Sequence, residues 1–174
     1  MNISYFVVDK LSECKIPAKI RPATQKDFQI TKTDNWQSNW MSEFMQQSPS
    51  DKFALEISET HELVGLGAYQ KIAESVIVYI EYIESAPNSN PTITHSPQYS
   101  GIGAALLAYG VQLSVDYGYG GAIFLKAKTS GLRRHYIDVY GATPFSHIHP
   151  ELLLIDGSAA LNLLSQFFEE TEDM

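Results

Sequence analysis

Residues 98–107, QYSGIGAALL, set two glycines one residue apart at the head of a run of good helix formers. They follow the apolar run SVIVYIEYIES (75–85) and a polar loop, SAPNSNPTITHSPQYSG (85–101), with three prolines and two asparagines. Glycine costs backbone entropy and belongs where the main chain turns tightly or lets something approach closely. A glycine turn between a buried strand and a helix gathers free backbone N–H groups and the positive end of the helix dipole at one spot, which is an anion site. Spacing narrows the anion. The dinucleotide fingerprint G-x-G-x-x-G needs glycine at 106, where Leu106 stands, and the next strand ends in Lys126 and Lys128 rather than a ribose-binding acid. The phosphate loop G-x-x-x-x-G-K-[ST] is absent. The pattern that fits is Q-x-x-G-x-G, on Gln98, Gly101 and Gly103.

Outward from this turn, periodicity gives an α/β chain. YFVVDKL and KIRPA read as short strands, and residues 27–45 carry Phe28, Trp36, Trp40, Phe44 and Met45 in a broken helical pattern. KFALEIS and LVGLGAYQKIA are two strands joined by the turn ETHE, and SVIVYIEYIES is the β-branched and aromatic run of a buried central strand, so these three predict a meander. Residues 104–117 predict a helix ended by Gly118, Gly120 and Gly121. AIFLKAK and ELLLIDG are further strands, GLRRHYIDVYG a short helix, and residues 158–168 a last amphipathic helix with Leu161, Leu164 and Phe168 on one stripe. That stripe can pack on its own sheet or on a second copy in a homodimer. The acidic end EETEDM is expected to fray.

The 174 residues fit one domain. Lys and Arg number 12 against 20 Asp and Glu, a net charge of −8, which argues against a nucleic-acid or anionic membrane surface. Cys14 is alone, so no internal disulfide forms, and the opening MNISYFVVDK has neither a basic leader nor a sustained apolar run. A cytoplasmic protein is expected.

Gln98, Gly101, Gly103 and Ala104 match the signature [QR]-x-x-G-x-[GA], in which the sequence resembles the GCN5-related N-acetyltransferase family. IRPATQKDF resembles that family's opening strand and helix start, LVGLGAY its third strand, and HYIDVYGATPF its helix-to-strand segment, so the likeness spans residues 20–145. The resemblance implies a mixed, mostly antiparallel central sheet flanked by helices, with a strand splayed at the cofactor site. It implies acetyl-coenzyme A as co-substrate, no metal, and an amine acceptor. The pyrophosphate would be gripped by Gln98, Tyr99, Ser100, Gly101, Ile102, Gly103 and Ala104. Ile83, Glu84 and Ser85 on the strand, and Thr129 and Arg133 near the later helix, are further cofactor contacts. Independently of the family, Lys126, Lys128, Arg133 and Arg134 cluster in an acidic chain, and two of them lie near a helix start where the dipole disfavours cations. An anion nearby would relieve this.

Acyl transfer to an amine needs a base for the ammonium proton, donors for the developing oxyanion and an acid for the leaving thiolate. Glu81 and Glu84 interrupt the apolar strand, where a carboxylate is costly unless paired or functional. Three residues apart on a regular strand, they point to opposite faces. The family often places its base on this strand, which makes Glu81 the first choice and Glu84 the second. For the acid, the resemblance points to Tyr136, with Tyr140 as fallback. The family's Phe-Tyr-x-x-x-Gly pattern would put the tyrosine at Ile137, four before Gly141, and His135 stands in place of phenylalanine. Backbone N–H groups around residues 83–85 are the expected oxyanion donors.

Trp36 and Trp40, at i and i+4, read as a helix-face pair of the kind that is usually core; in the family's fold that region borders the acceptor, which would make them substrate contacts. His147 and His149 would share a strand face, but no third ligand has metal-site spacing. Two function classes stay open: an acetyl-coenzyme A-dependent N-acetyltransferase, and a non-catalytic coenzyme A-binding or protein-interaction module on the same fold.

Overall fold

The computed structural model describes residues 2–170. The end of the expected acidic tail, residues 171–174, lies outside the described residues. In chain order the elements are β1 (Phe6–Asp9), β2 (Lys15–Pro22), α1 (Gln25–Thr33), α2 (Glu43–Gln47), β3 (Asp51–Ile57), β4 (Leu63–Ile72), β5 (Ile77–Ser85), β6 (Tyr99–Ser100), α3 (Ile102–Asp116), β7 (Ile123–Lys126), α4 (Ser130–Tyr140), β8 (Thr143–Pro144), β9 (Leu152–Ile155) and α5 (Gly157–Ser165).

The strands form one sheet in the order β6-β1-β2-β3-β4-β5-β7-β9-β8. Every pairing is antiparallel except β5 with β7. A parallel pair needs a crossover, and α3 supplies it. Alternation along the strands divides the apolar side chains between two faces. Val7, Leu55, Val64, Tyr69, Val78, Ile80 and Ile123 form the larger core with α3 and α5. Ala54, Leu66 and Ala68 face the other way, onto Phe28, Trp36, Trp40 and Met45.

Two irregularities in β5 shape everything that follows. Against β4, Ala68 pairs with Tyr82 and Tyr69 with Ile80, so Glu81 is left without a partner in a β-bulge. Against β7, pairing runs from Val78↔Ile123 to Ile80↔Leu125 and then stops, although β5 continues to Ser85 alongside β4. Beyond Ile80 the two parallel strands part, which is the splayed strand that the resemblance implied.

The meander β3-β4-β5 stands as read from the sequence. The 27–45 pattern divides instead into α1 and α2, because Asp34 caps α1 and Asn35 takes a left-handed backbone (φ 58°) that stops the helix. Trp36 and Trp40 therefore sit in the connection rather than on a helix face. His147 and His149 likewise lie in the loop between β8 and β9, not on a strand. α5 packs through Ala160, Leu163 and Leu164, while Leu161 is 55% exposed, so the expected stripe is rotated.

Candidate active site

The V between β5 and β7 opens into two adjoining cavities of about 440 and 390 Å³. Ile83, Ser85, Pro91, Gly103, Leu132 and Tyr136 line both, so the two are one continuous cleft. Such a cleft at a strand-order crossover is the usual place for a ligand in an α/β sheet.

At one end stands the glycine turn. β6 pairs with β1 through Val8↔Ser100 and Asp9↔Tyr99, which delivers the chain to the head of α3. Gly101 is the N-cap residue at φ 84°, a left-handed conformation that favours glycine. The N–H groups of the first helical turn have no intrahelical partner. A Cβ added at Gly103 would meet nothing within 4 Å, so this stretch of main chain faces open cleft. Tyr99, Ser100, Gly101, Ile102, Gly103 and Ala104 line the second cavity. Gln98 does not. Its carbonyl accepts from Lys10 N–H at 3.0 Å and its side chain accepts from Asn88 at 2.8 Å, so it anchors the turn rather than lining the cleft. Lys10 is on the cavity wall, brought there by the β1–β6 pairing.

At the other end stand the carboxylates. The bulge sends Glu81 to the same side of β5 as Tyr82 and Glu84, where all three meet the chain between residues 38 and 50. Ser48 Oγ donates to Glu81 Oε2 at 2.6 Å, and Ser50 Oγ donates to the same oxygen. Oε1 of Glu81 has no partner among the described residues. Glu84 is buried, and both of its oxygens are occupied: Trp40 Nε1 donates to Oε1 at 3.1 Å and Ser38 N–H to Oε2 at 3.3 Å. The expectation of opposite faces is thus overturned by one extra residue in the strand. Both carboxylates line the first cavity.

Trp36 and Trp40 are 7% and 0% exposed and line neither cavity. They are buried in the core, and Trp40 reaches the cleft only through its hydrogen bond to Glu84. Gln37, Asn90 and Thr92 close the cavity above them. Asn90 donates to Gln37 at 3.2 Å, and Gln37 donates to Thr92 at 2.5 Å.

Tyr136 is the wall residue at the junction of the two cavities. Burial, with the nearby Tyr140, raises its phenol above the ordinary tyrosine value. Ile137, which the family pattern would align with the tyrosine, packs against the core, so the extra residue before Gly141 leaves Tyr136 facing the cleft. Tyr140 lines the second cavity alone, and burial raises its phenol too.

The basic cluster divides. Lys126 and Lys128 line the first cavity, as does Thr129, whose hydroxyl caps α4 by accepting from Leu132 N–H at 3.1 Å. Arg133, expected as a cofactor contact, lines neither cavity; its Nε donates to the Pro150 carbonyl at 2.8 Å and pins the β8–β9 loop. Arg134 is exposed and also lines neither. The serines that hold the carboxylates, and Lys10, carried no motif that could have found them.

Among the described residues no group of three or more His, Cys, Asp or Glu side chains is placed to hold a metal ion, and no helix is long and apolar enough to cross a membrane.

No protein-family model matches the sequence, and no curated protein matches it in sequence. Solved structures do resemble it in fold. RimJ of Mycobacterium smegmatis, in complex with CoA-disulfide, aligns at TM-score 0.57 and 13% identity over 95% of this chain and 94% of its own. AtaTR bound with AcCoA aligns at 0.56 and 12% over 84% and 97%. The PaiA N-acetyltransferase of Thermoplasma acidophilum, in complex with coenzyme A, aligns at 0.52 and 13% over 80% and 99%. At these identities the likeness is one of fold: the chain has the GCN5-related N-acetyltransferase fold, a curled, mostly antiparallel sheet flanked by helices.

Proposed function

We propose that the chain is an acetyltransferase that moves an acetyl group from acetyl-coenzyme A to a primary amine by direct attack. The observation that carries this reading is continuity. An open helix N-terminus, an unpaired strand edge, a carboxylate with one free oxygen and a protonated tyrosine line a single cleft.

The residues fit the co-substrate. Free N–H groups at 102–104 and Lys10 are suited to the pyrophosphate, and the space a Cβ would take at Gly103 lets it approach. Ile83, Leu106, Leu107 and Leu132 give an apolar wall for the pantetheine arm. Bound acetyl-coenzyme A supplies the acyl thioester. Glu81, through Oε1, takes the proton of the acceptor ammonium directly or through water. Main-chain N–H groups of Ile83 and Ser85, on the strand edge that β7 has left, donate to the carbonyl oxygen as charge grows there. The Tyr136 phenol protonates the departing sulfur. The net charge of −8 favours the approach of cationic acceptors.

The test is calorimetric titration with coenzyme A and acetyl-coenzyme A, followed by free-thiol release over a panel of primary amines. Micromolar binding and thiol release dependent on one amine class are expected. Binding with no amine-dependent release would leave a coenzyme A-binding module, and absence of binding would remove the reading.

A further inference from the structure

The cleft already contains a primary amine of its own. Lys128 follows β7 and faces Tyr82 of β5 across the mouth of the V, with its Nζ 3.5 Å from the centre of the Tyr82 ring. Cations are drawn to an aromatic face in this way. The ring is fixed from two other sides. Its hydroxyl shares a 2.5 Å hydrogen bond with Ser38, and the ring makes a T-shaped contact with Trp40, with centroids 5.7 Å apart at 82°. Tyr82 is the residue next to Glu81 in the bulge, on the same side of the strand as both carboxylates. Among the described residues Lys128 makes no ion pair. A lysine on a cavity wall with no carboxylate partner, held by a ring beside the candidate base, occupies the ground an acceptor amine must cross. Lys126 lines the same cavity but has no comparable contact.

We propose that Lys128 is a site of self-acetylation, the chain acting on its own side chain when acetyl-coenzyme A is bound and no external amine competes. The inference rests on the acetyltransferase reading above. The Lys128 ammonium gives a proton to Glu81, directly or through water. The freed lone pair forms a bond from Nζ to the thioester carbonyl carbon while the C–S bond breaks, its electron pair leaving on sulfur. Sulfur takes a proton from Tyr136, which regains one from solvent, and the second nitrogen proton is lost to water. The products are N-acetylated Lys128 and coenzyme A. Acetylation removes the charge and the attraction to the ring, leaving the Tyr82 face to an external acceptor.

The full-length protein is incubated with acetyl-coenzyme A without added amine, at several protein concentrations, and followed by intact mass and peptide mapping. One acetyl group is expected to accumulate on Lys128, at a rate per molecule independent of protein concentration. Lys128→Arg abolishes that label, Lys126→Arg leaves it on Lys128, and Glu81→Gln slows it by about tenfold or more. Labels spread over many lysines at similar rates, insensitive to Glu81→Gln, are ordinary solution acylation and overturn the proposal. So does a rate that rises with protein concentration. A wild-type protein that turns over an added amine yet stays unlabelled at Lys128 overturns self-acetylation while the acetyltransferase reading stands. A protein that does not bind acetyl-coenzyme A by calorimetry brings down both.

Discussion

Glu81 and Glu84 stand on the same side of β5, and they differ in what their oxygens touch. Both oxygens of Glu84 accept N–H donors, from Trp40 and Ser38, whereas Ser48 and Ser50 converge on a single oxygen of Glu81. A carboxylate whose two oxygens are both engaged is a joint in the structure. One held at a single oxygen is oriented and still able to accept a proton. The bulge is what sets the two side by side: Ile80 packs in the core under α3, so regular alternation would leave Glu81 on the other face and turn Glu84 toward the core.

Glu81→Gln keeps the shape and can still accept from Ser48 and Ser50, but it cannot take a proton. Coenzyme A affinity is expected to hold while single-turnover acetyl transfer falls by about 10²-fold or more at neutral pH, with partial recovery as rising pH deprotonates the amine itself. Single turnover is the measurement because slow product release would hide the loss. A variant as fast as wild type removes Glu81 as the base.

Glu84→Gln acts on stability first. The amide offers one oxygen where Trp40 and Ser38 present two donors, and its NH₂ must face one of them. A buried donor left unmatched costs about 1–3 kcal/mol, which in a domain of this size lowers Tm by about 3–10 °C. The loss of turnover should be smaller than in Glu81→Gln. An inactive Glu84→Gln with wild-type Tm, beside an active Glu81→Gln, would reverse the two assignments.

The two glycines of the turn should separate stability from binding. A valine at 103 enters open space, so folding changes by less than about 1 kcal/mol. Its side chain then stands where the pyrophosphate approaches, and coenzyme A binding should weaken by about tenfold or more, a loss of about 1.4 kcal/mol. Gly101→Ala puts a side chain on a left-handed residue (φ 84°) and should lower stability by about 1–3 kcal/mol. Wild-type affinity in a folded Gly103→Val makes the turn merely a turn.

What the sequence revealed follows how local each feature is. The meander and the glycine turn were legible because their signals, strand alternation and helix formers after glycine, lie within a dozen residues. The helix α3 begins at Ile102, slightly ahead of the first expected position, because Gly101 itself is the cap. Glu81's face was misread because a bulge is a property of the pairing with β4, not of β5 alone. The surroundings of Trp40 and Arg133 were hidden for a similar reason: each spends its polar group on a distant acceptor, Glu84 and the Pro150 carbonyl, that no spacing rule connects to it. Lys10 reaches the cleft only through the pairing of β1 with β6.

Away from the cleft, Arg21 joins β2, α1 and β3 electrostatically. It donates to both oxygens of Asp27, at 2.7 and 2.9 Å, and lies 3.1 Å from Glu56, which also meets Lys19 at 3.2 Å. Burial alone would raise both carboxyls, but the hydrogen bonds and charge of Arg21, helped by Thr24 at Asp27 and by Lys19 and His61 at Glu56, outweigh it and hold both below their ordinary values. Carboxylates depressed in the folded state stabilise it above their unfolded values, near about pH 4, and that contribution is lost as pH falls through the folded ones. Arg21→Met should cost about 2–4 kcal/mol at neutral pH, the arginine being partly exposed. Urea unfolding against pH should show the wild-type and variant curves converging in acid. A constant gap would mean that packing, not charge, explains the loss.

Tyr136 gives the pH prediction for the chemistry itself. Burial first, and the neighbouring Tyr140 second, raise its phenol above the ordinary value, so at neutral pH it is a protonated donor at the junction of the two cavities. A group raised in this way does its work below its pKa and stops as pH climbs through it. Single-turnover rates should therefore hold past about pH 10, the unperturbed tyrosine value, before falling on an alkaline limb. Tyr136→Phe should lower the rate by about 10²–10⁴-fold, keep coenzyme A affinity, and lose that limb. Tyr140→Phe, which touches the second cavity alone, should retain most activity. Should Tyr140→Phe be the inactive variant and Tyr136→Phe the active one, the acid sits one turn further along α4 than proposed; an alkaline limb that survives in both reports some other group.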